Sequence, residues 1–461
     1  MLENVIAGKE KLFADGTHTE LRLQENRSRR VVLVGGNLVA NGRSEEKGIS
    51  ARVCENGFYG FSSKAETTAG AADEVLKAAT ENARFFDSHV REKKPPVKTV
   101  GMGTVPLNKE TVDTEQKTYV EFARQIDAYI AEKYPALASR RVILTTDSTE
   151  KYILTSDGYS GHVTIPRHYV YVFLTANTPS GAPVELFKAL GGYGNFSDNF
   201  SDPSLCFPEI DGVYEDVMRK TEGIHAEAGL KTVVLGGDLS GMLAHEAVGH
   251  TVEADLVNGG SVAGPNLGKV VASPLVNMVD FANTALGVTA PLPVYLDDEG
   301  TPAEDVVLIK DGILQGYMHN LETARQFGDR PRGNARAWTY ADEPLIRMRN
   351  TAVLPGKDSL DDIIASVDDG YYFISTNNGQ ADLTGEFMFG VCMGYEIKNG
   401  KLGRPILDTT ITGIAFDMLK TVDMISNEVH WSSSGFCGKK QPMPVGLGGP
   451  ALRCKITVGG R

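Results

Sequence analysis

The sequence is poor in cysteine, in tryptophan and in uninterrupted apolar runs. Its five cysteines, Cys54, Cys206, Cys392, Cys437 and Cys454, are odd in number and widely spaced, which speaks against a disulfide framework. In a reducing compartment each is a small buried hydrophobe or a metal or redox group, and burial is the expectation for all but one. No stretch approaches the roughly 18 apolar residues of a membrane span. The opening Met1-Leu2-Glu3-Asn4 lacks the basic start and apolar run of a secretory signal, so a cytoplasmic location is expected. Positive charge is in deficit as well. Lys and Arg number 46 against 59 Asp and Glu, a net −13 that argues against a general nucleic-acid binder. Arg27, Arg29 and Arg30 form the one obvious basic run and read as a solvated strand edge.

What is present suits a globular α+β protein. With 461 residues the chain is too long for one comfortable core. The expectation is an N-terminal domain over 1–223, with antiparallel strands and helices, and a β-rich C-terminal domain over 224–461, barrel- or sandwich-like. In the first, Val31-Val32-Leu33-Val34 and Ile49 to Val53 read as strands. Ala72, Val75, Leu76, Ala79, Ala83 and Phe86 share one helical face. Pro95-Pro96 breaks the chain. A second helix is expected from about Asp113, with Gln116 as capping-box partner, an apolar face of Tyr119, Phe122, Ile126 and Tyr129 or Ile130, and an end at Pro135. Strands return at Val142, Tyr152 and His168. The tetrapeptide Ser28-Arg29-Arg30-Val31 recurs as Ser139-Arg140-Arg141-Val142, each time taken to open a strand. The stretch 190–202 reads as a loop and 212–223 as a helix. In the second domain Thr232 to Leu235 is a strand that turns into a helix at Gly236-Gly237-Asp238. Hairpins turn at Asp311-Gly312 and Asn399-Gly400. Ser359 and Asp362 mark a short capped helix, and the Gly- and Pro-rich last forty residues are expected to wander over the surface or line a cleft.

The informative run is Leu243-Ala244-His245-Glu246-Ala247-Val248-Gly249-His250. Imidazole is a good zinc ligand, and a carboxylate beside a metal can take a proton from water. The familiar pattern His-Glu-x-x-His separates the histidines by four residues, about 40° around a helix; here five residues separate them, about 140°. A regular helix would point them apart. Either a one-residue π-bulge or a helix end near Gly249 is needed for the two to share an ion. A catalytic zinc also needs a third protein ligand and an open position. Candidates are Glu253, Asp255, His319, His430, Cys437 and Cys454. Among them Cys437 is flanked by glycine and followed by Lys439 and Lys440, which favour a thiolate.

These residues resemble the TldD/PmbA family, the modulators of DNA gyrase, and its TldD branch in particular. The resemblance runs through His245 to His250 with Glu253, Asp298-Glu299-Gly300-Thr301-Pro302, Cys437-Gly438, Pro444-Val445-Gly446 and Val458-Gly459-Gly460. It implies a zinc metallopeptidase in which His245, His250 and Cys437 bind Zn2+ and Glu246 is the catalytic base. It implies extended or unfolded peptide substrates, and a homodimer or a heterodimer with a PmbA-type subunit. Two departures stand out: a short N-terminus, and Thr251 where relatives often have glycine. Tyr317, His319 and Tyr395 are candidate oxyanion donors. Asp298 to Thr301 is either a turn with functional carboxylates or a capped, solvated loop. The competing functions are a closed structural zinc module and a non-catalytic adaptor or chaperone subunit.

Overall fold

The computed structural model describes residues 2–90, 93 and 103–459. Pro95-Pro96 and Gly460 lie outside them. The mixed α+β class holds. In the first half, β1 (His18–Val34) and β2 (Asn37–Glu55) form a long hairpin that β3 (Phe58–Lys64) extends, and α1 (Ala69–His89) packs on it. β4 (Gly103–Val105) and α2 (Gln116–Lys133) follow. A second meander of β5 (Ser139–Thr155), β6 (Tyr159–Asn177) and β7 (Pro183–Tyr193) leads to the helix Phe207–Lys220. β1 pairs antiparallel with β5, which joins the two meanders into one seven-stranded sheet.

The helical faces follow from their spacing, with two corrections. α1 buries Ala72, Val75, Leu76, Ala79 and Ala83, but Phe86 is 51% exposed. The reason is where β3 crosses: a Cβ on Gly60 would collide with the backbone of Ala79 and Ala83, so the contact centres there and the last turn runs past it. α2 buries Tyr119, Phe122, Ile126 and Ile130. It starts three residues later than expected, because Asp113 is drawn to Arg29 and Gln116 donates to Asn41 instead of closing a capping box. Ser139 opens β5, whereas Ser28 lies inside β1. The stretch 190–202 is not all loop, since β7 runs to Tyr193 and a capped turn of helix follows at Phe196–Asn199.

In the second half, β8 (Gly229–Leu235) pairs parallel with the strand Asp369–Ala381 and antiparallel with Gly446–Val458. The strands Glu386–Lys398 and Thr409–Ile414 complete the circuit, so five strands close a barrel. Asn350–Val353 pairs parallel with Gly446–Val458 and carries Met278–Phe281 and Val306–Lys310 outward from it. Both expected hairpin turns form, with Asp311, Gly312, Asn399 and Gly400 all at positive φ, the geometry that matches strand twist. The last forty residues correct the expectation most. Gly446–Val458 is a buried barrel strand. Its glycines serve close packing: side chains at Gly448 and Gly449 would collide with Trp431 and Ser240. Inside the second half, Leu239, Leu243, Val248, Phe373, Phe389 and Leu452 share one core, so the motif helix is anchored by burial.

Candidate metal centre

β8 ends at Leu235, and the chain turns through Gly236 into the helix Gly237–Met242. From Leu243 to Gly249 the hydrogen bonding widens to a π-helix, and a 3-10 turn, His250–Val252, ends it. The His250 N–H donates to the carbonyl of His245, five residues back. The extra residue in the turn brings positions i and i+5 to one face. The two imidazole centroids lie 5.2 Å apart. Gly249 permits this path, because a Cβ there would collide with the Met348 sulfur and sit 3.0 Å from the Ala244 carbonyl.

Cys437 arrives 187 residues later on the two-residue strand Phe436–Cys437, paired with Met443–Pro444. Its Sγ is 3.3 Å from His250 Nε2. Ligand atoms of His245, His250 and Cys437 all lie within 4.8 Å of one another. Arg347, itself fully buried, holds the cysteine loop by donating to the carbonyls of Cys437 at 2.7 Å, Gln441 at 2.8 Å and Lys439 at 3.2 Å. Glu253 Oε2 accepts from His250 Nδ1 at 2.8 Å, which leaves Nε2 facing the cysteine. Lys439 bridges the two segments, reaching Asp255 at 2.7 Å and Glu253 at 3.3 Å. The Glu246 carboxylate is 3.6 Å from His250 Nε2 and 3.9 Å from His245 Nε2, and its side chain keeps 22% of its surface exposed.

The donor set fits a zinc-like cation. His245 is 1% exposed, yet neither ring nitrogen has a hydrogen-bond partner among the described residues. Buried polar atoms are paired in the great majority of cases, so such an orphan calls for a ligand. Bond lengths of a tetrahedral N,N,S site put donor atoms roughly 3.5 Å apart, close to the 3.3 Å between Sγ and Nε2. Burial pushes the Cys437 thiol up, but His245 and His250 outweigh it and bring it down to about 3. Burial likewise lowers His250, while Cys437 and Glu253 drive it up to about 10. The pair thus favours thiolate and imidazolium, and a bound cation would stand where that proton is.

The other sequence candidates lie elsewhere. His319 hydrogen-bonds Thr323, His430 pairs with Asp238 at 2.9 Å, Asp255 holds Lys439, and Cys454 is buried in a barrel strand. Tyr317 donates to the carbonyls of Ala263 and Gly264. Tyr395 interacts with Arg219. Asp298 and Glu299 are neither solvated nor gathered at the cluster: they pair with Lys151, Arg22 and Arg52 of the N-terminal sheet. Sequence reasoning missed Arg347, whose only signal was an arginine in a β-rich stretch.

Comparison with known proteins places the chain in a family. Models of the PmbA/TldA metallopeptidases match in three pieces: domain 1 over 19–83, the central domain over 108–223 and the C-terminal domain over 228–460. A metalloprotease TldD homolog of Haemophilus influenzae is 41% identical over 272 residues, 55% of each chain. The match thus spans about half the length of that relative. A zinc metalloprotease TldD homolog of Saccharolobus solfataricus is 26% identical over 90% of both chains. The solved structure of TldE from Thermococcus kodakarensis shares the fold, with a TM-score of 0.77 over the full length of both chains at 16% identity. The chain therefore belongs to the PmbA/TldD metallopeptidase family.

Proposed function

We propose that the protein is a zinc-dependent peptidase with His245, His250 and Cys437 as metal ligands and Glu246 as general base. The observation that carries this reading is the buried imidazole of His245, without a hydrogen-bond partner among the described residues, beside His250 and the Cys437 thiol. Zinc held there would act as a Lewis acid and bring the pKa of water near neutrality. Glu246, partly exposed and beside both imidazoles, takes the proton of the attacking water and returns it to the departing amine. Glu253 keeps His250 in the tautomer that presents Nε2. Arg347 and Lys439 hold the cysteine loop against the histidine segment.

The resemblance supports an extended peptide as substrate, and a dimer of like chains or with a PmbA-type subunit. The chain divides into domains at 223/224 in this reading, between the helix Phe207–Lys220 and β8. No helix among the described residues is long and apolar enough to cross a membrane. The test is Glu246→Gln. Zinc content should stay at one ion per chain while peptide hydrolysis falls by about 10³-fold, within the span of general acid–base contributions. Full activity in that variant overturns the mechanism. Loss of zinc along with activity would point to a closed structural site that includes Glu246.

A further inference from the structure

A cavity of about 40 Å³ lies between the N-terminal sheet and the hairpin that carries Cys437. Val163 and Ile165 of β6, Leu296, Trp338, Met443 and Pro444 form much of its wall. Met443 is the antiparallel partner of Cys437, so this wall stands one strand, roughly 5 Å, from the candidate ligand's backbone. Trp338 meets Phe436 edge-on, with ring centroids 5.5 Å apart. Ile165, Thr149 and Trp338 are half-buried and form the rim, while Asp298 and Arg336 are buried at the floor.

The floor carries positive charge that the chain does not neutralise directly. Asp298 is already engaged by Lys151 at 2.7 Å, Arg22 at 3.1 Å and the Ala337 N–H at 2.7 Å. Asp147, also lining the cavity, is held by Arg167 through two hydrogen bonds. Arg336 is only 5% exposed, and among the described residues it donates one hydrogen bond, to the Met348 carbonyl at 2.6 Å. It makes no ion pair within 4.0 Å among the described residues. Burial and the neighbouring Arg347 pull it down to about 9. A buried guanidinium with spare N–H groups is costly unless an anionic partner is supplied.

We propose that this cavity is a substrate subsite for a carboxylate, with Arg336 as the group that binds it. The proposal rests on the peptidase reading above. The size agrees: at about 10–15 Å³ per water-sized group, 40 Å³ holds about three such groups, the carbon and two oxygens of one carboxylate. The adjoining methylenes would lie outside this volume, against the half-buried Ile165 and Trp338 at its rim. The carboxylate belongs either to an Asp or Glu side chain or to the peptide's own C-terminus.

The test offers the zinc-loaded full chain fluorescent alanine-rich peptides in matched pairs: Glu against Gln at one position, and a free against an amidated C-terminus. Cleavage is read as kcat/KM, and binding as anisotropy with the Glu246→Gln variant. One acid-bearing peptide should be preferred over its neutral match by tenfold or more, as expected for one charge-assisted hydrogen-bond pair. Which pair responds identifies the source of the carboxylate. The ratio should fall to within about twofold in Arg336→Gln and in Val163→Phe, which fills the cavity from β6. Val163→Phe decides the matter if Arg336→Gln does not fold. Equal handling of both pairs by the unmodified protein, or a preference that survives both substitutions, overturns the subsite and leaves the peptidase reading intact. Absence of cleavage with an acid preference in anisotropy does the reverse.

Discussion

The second half of the chain holds two buried constellations of ionisable side chains, built on opposite plans. Asp297, Asp298 and Glu299 are 1%, 4% and 2% exposed, and all their oxygens have partners. Asp297 accepts from the N–H groups of Glu299, Thr301 and Ala335; Asp298 is held by Lys151 and the Ala337 N–H; Glu299 by Arg52 and the Leu321 N–H. His245 is buried as deeply, yet neither of its nitrogens has a hydrogen-bond partner among the described residues, and Cys437 Sγ lies 3.3 Å from His250. Residue type does not separate the two groups, since carboxylates and imidazoles serve equally well in clamps and in sites. Satisfaction does. The three paired carboxylates join two parts of the fold, although Arg22, Arg52 and Glu20 around them keep unpaired atoms, whereas both nitrogens of the His245 ring are left for something it can bind.

The comparison breaks if removing a member of each group has the same consequence. His245→Ala should weaken zinc binding by more than about 100-fold, measured by competition with a chromophoric chelator, since even partners of ligands are worth 10–100-fold. Its unfolding temperature in chelator should stay near that of the unmodified metal-free protein. Arg52→Met should do the opposite. It leaves Glu299 buried without its cation and Glu20 with His18 alone, a loss of about 3–5 kcal/mol, seen as a lower unfolding midpoint in urea with zinc affinity unchanged. A fall in zinc affinity for Arg52→Met would mean that the clamp also serves the site.

Local chemistry was legible along the chain, and long-range partnership was not. Asn399-Gly400 and Asp311-Gly312 announced their hairpins because positive φ there is a property of two adjacent residues. The five-residue spacing of His245 and His250 demanded a π-turn or a helix end, and the π-turn formed just before the helix ends. Cys437 was singled out by its glycine and lysine neighbours, but its place beside His250 came from family resemblance, since no periodicity links residues 187 apart. The failures share one cause. Gly446–Val458 looked like surface because glycine disfavours strands, yet here glycine is what lets Trp431 and the motif helix approach. Asp298 and Glu299 looked like site or solvent because their cations, Lys151, Arg22 and Arg52, sit more than a hundred residues upstream.

The smallest effect sharpens the clamp side of the comparison by titration. His18 Nε2 is 3.0 Å from Glu20, which also faces Arg52 at 3.5 Å, and its Nδ1 is 2.5 Å from Asp157. Burial lowers His18, but Asp157 and Glu20 outweigh it and raise it to about 10. A raised folded pKa gives stability that is fully present below the unfolded value near 6.5 and is lost as pH climbs to 10. Lys151 acts with the opposite sign: burial brings it down to about 8, so raising the pH beyond that relieves a penalty. The useful quantity is therefore the difference between the unmodified protein and His18→Gln, in which the Lys151 contribution cancels. The unmodified protein should lose its advantage between pH 6.5 and 10, by on the order of 2–4 °C in Tm. A difference that stays constant over that range would take His18 out of the clamp and leave Arg52 as the partner that balances Glu20 and Glu299.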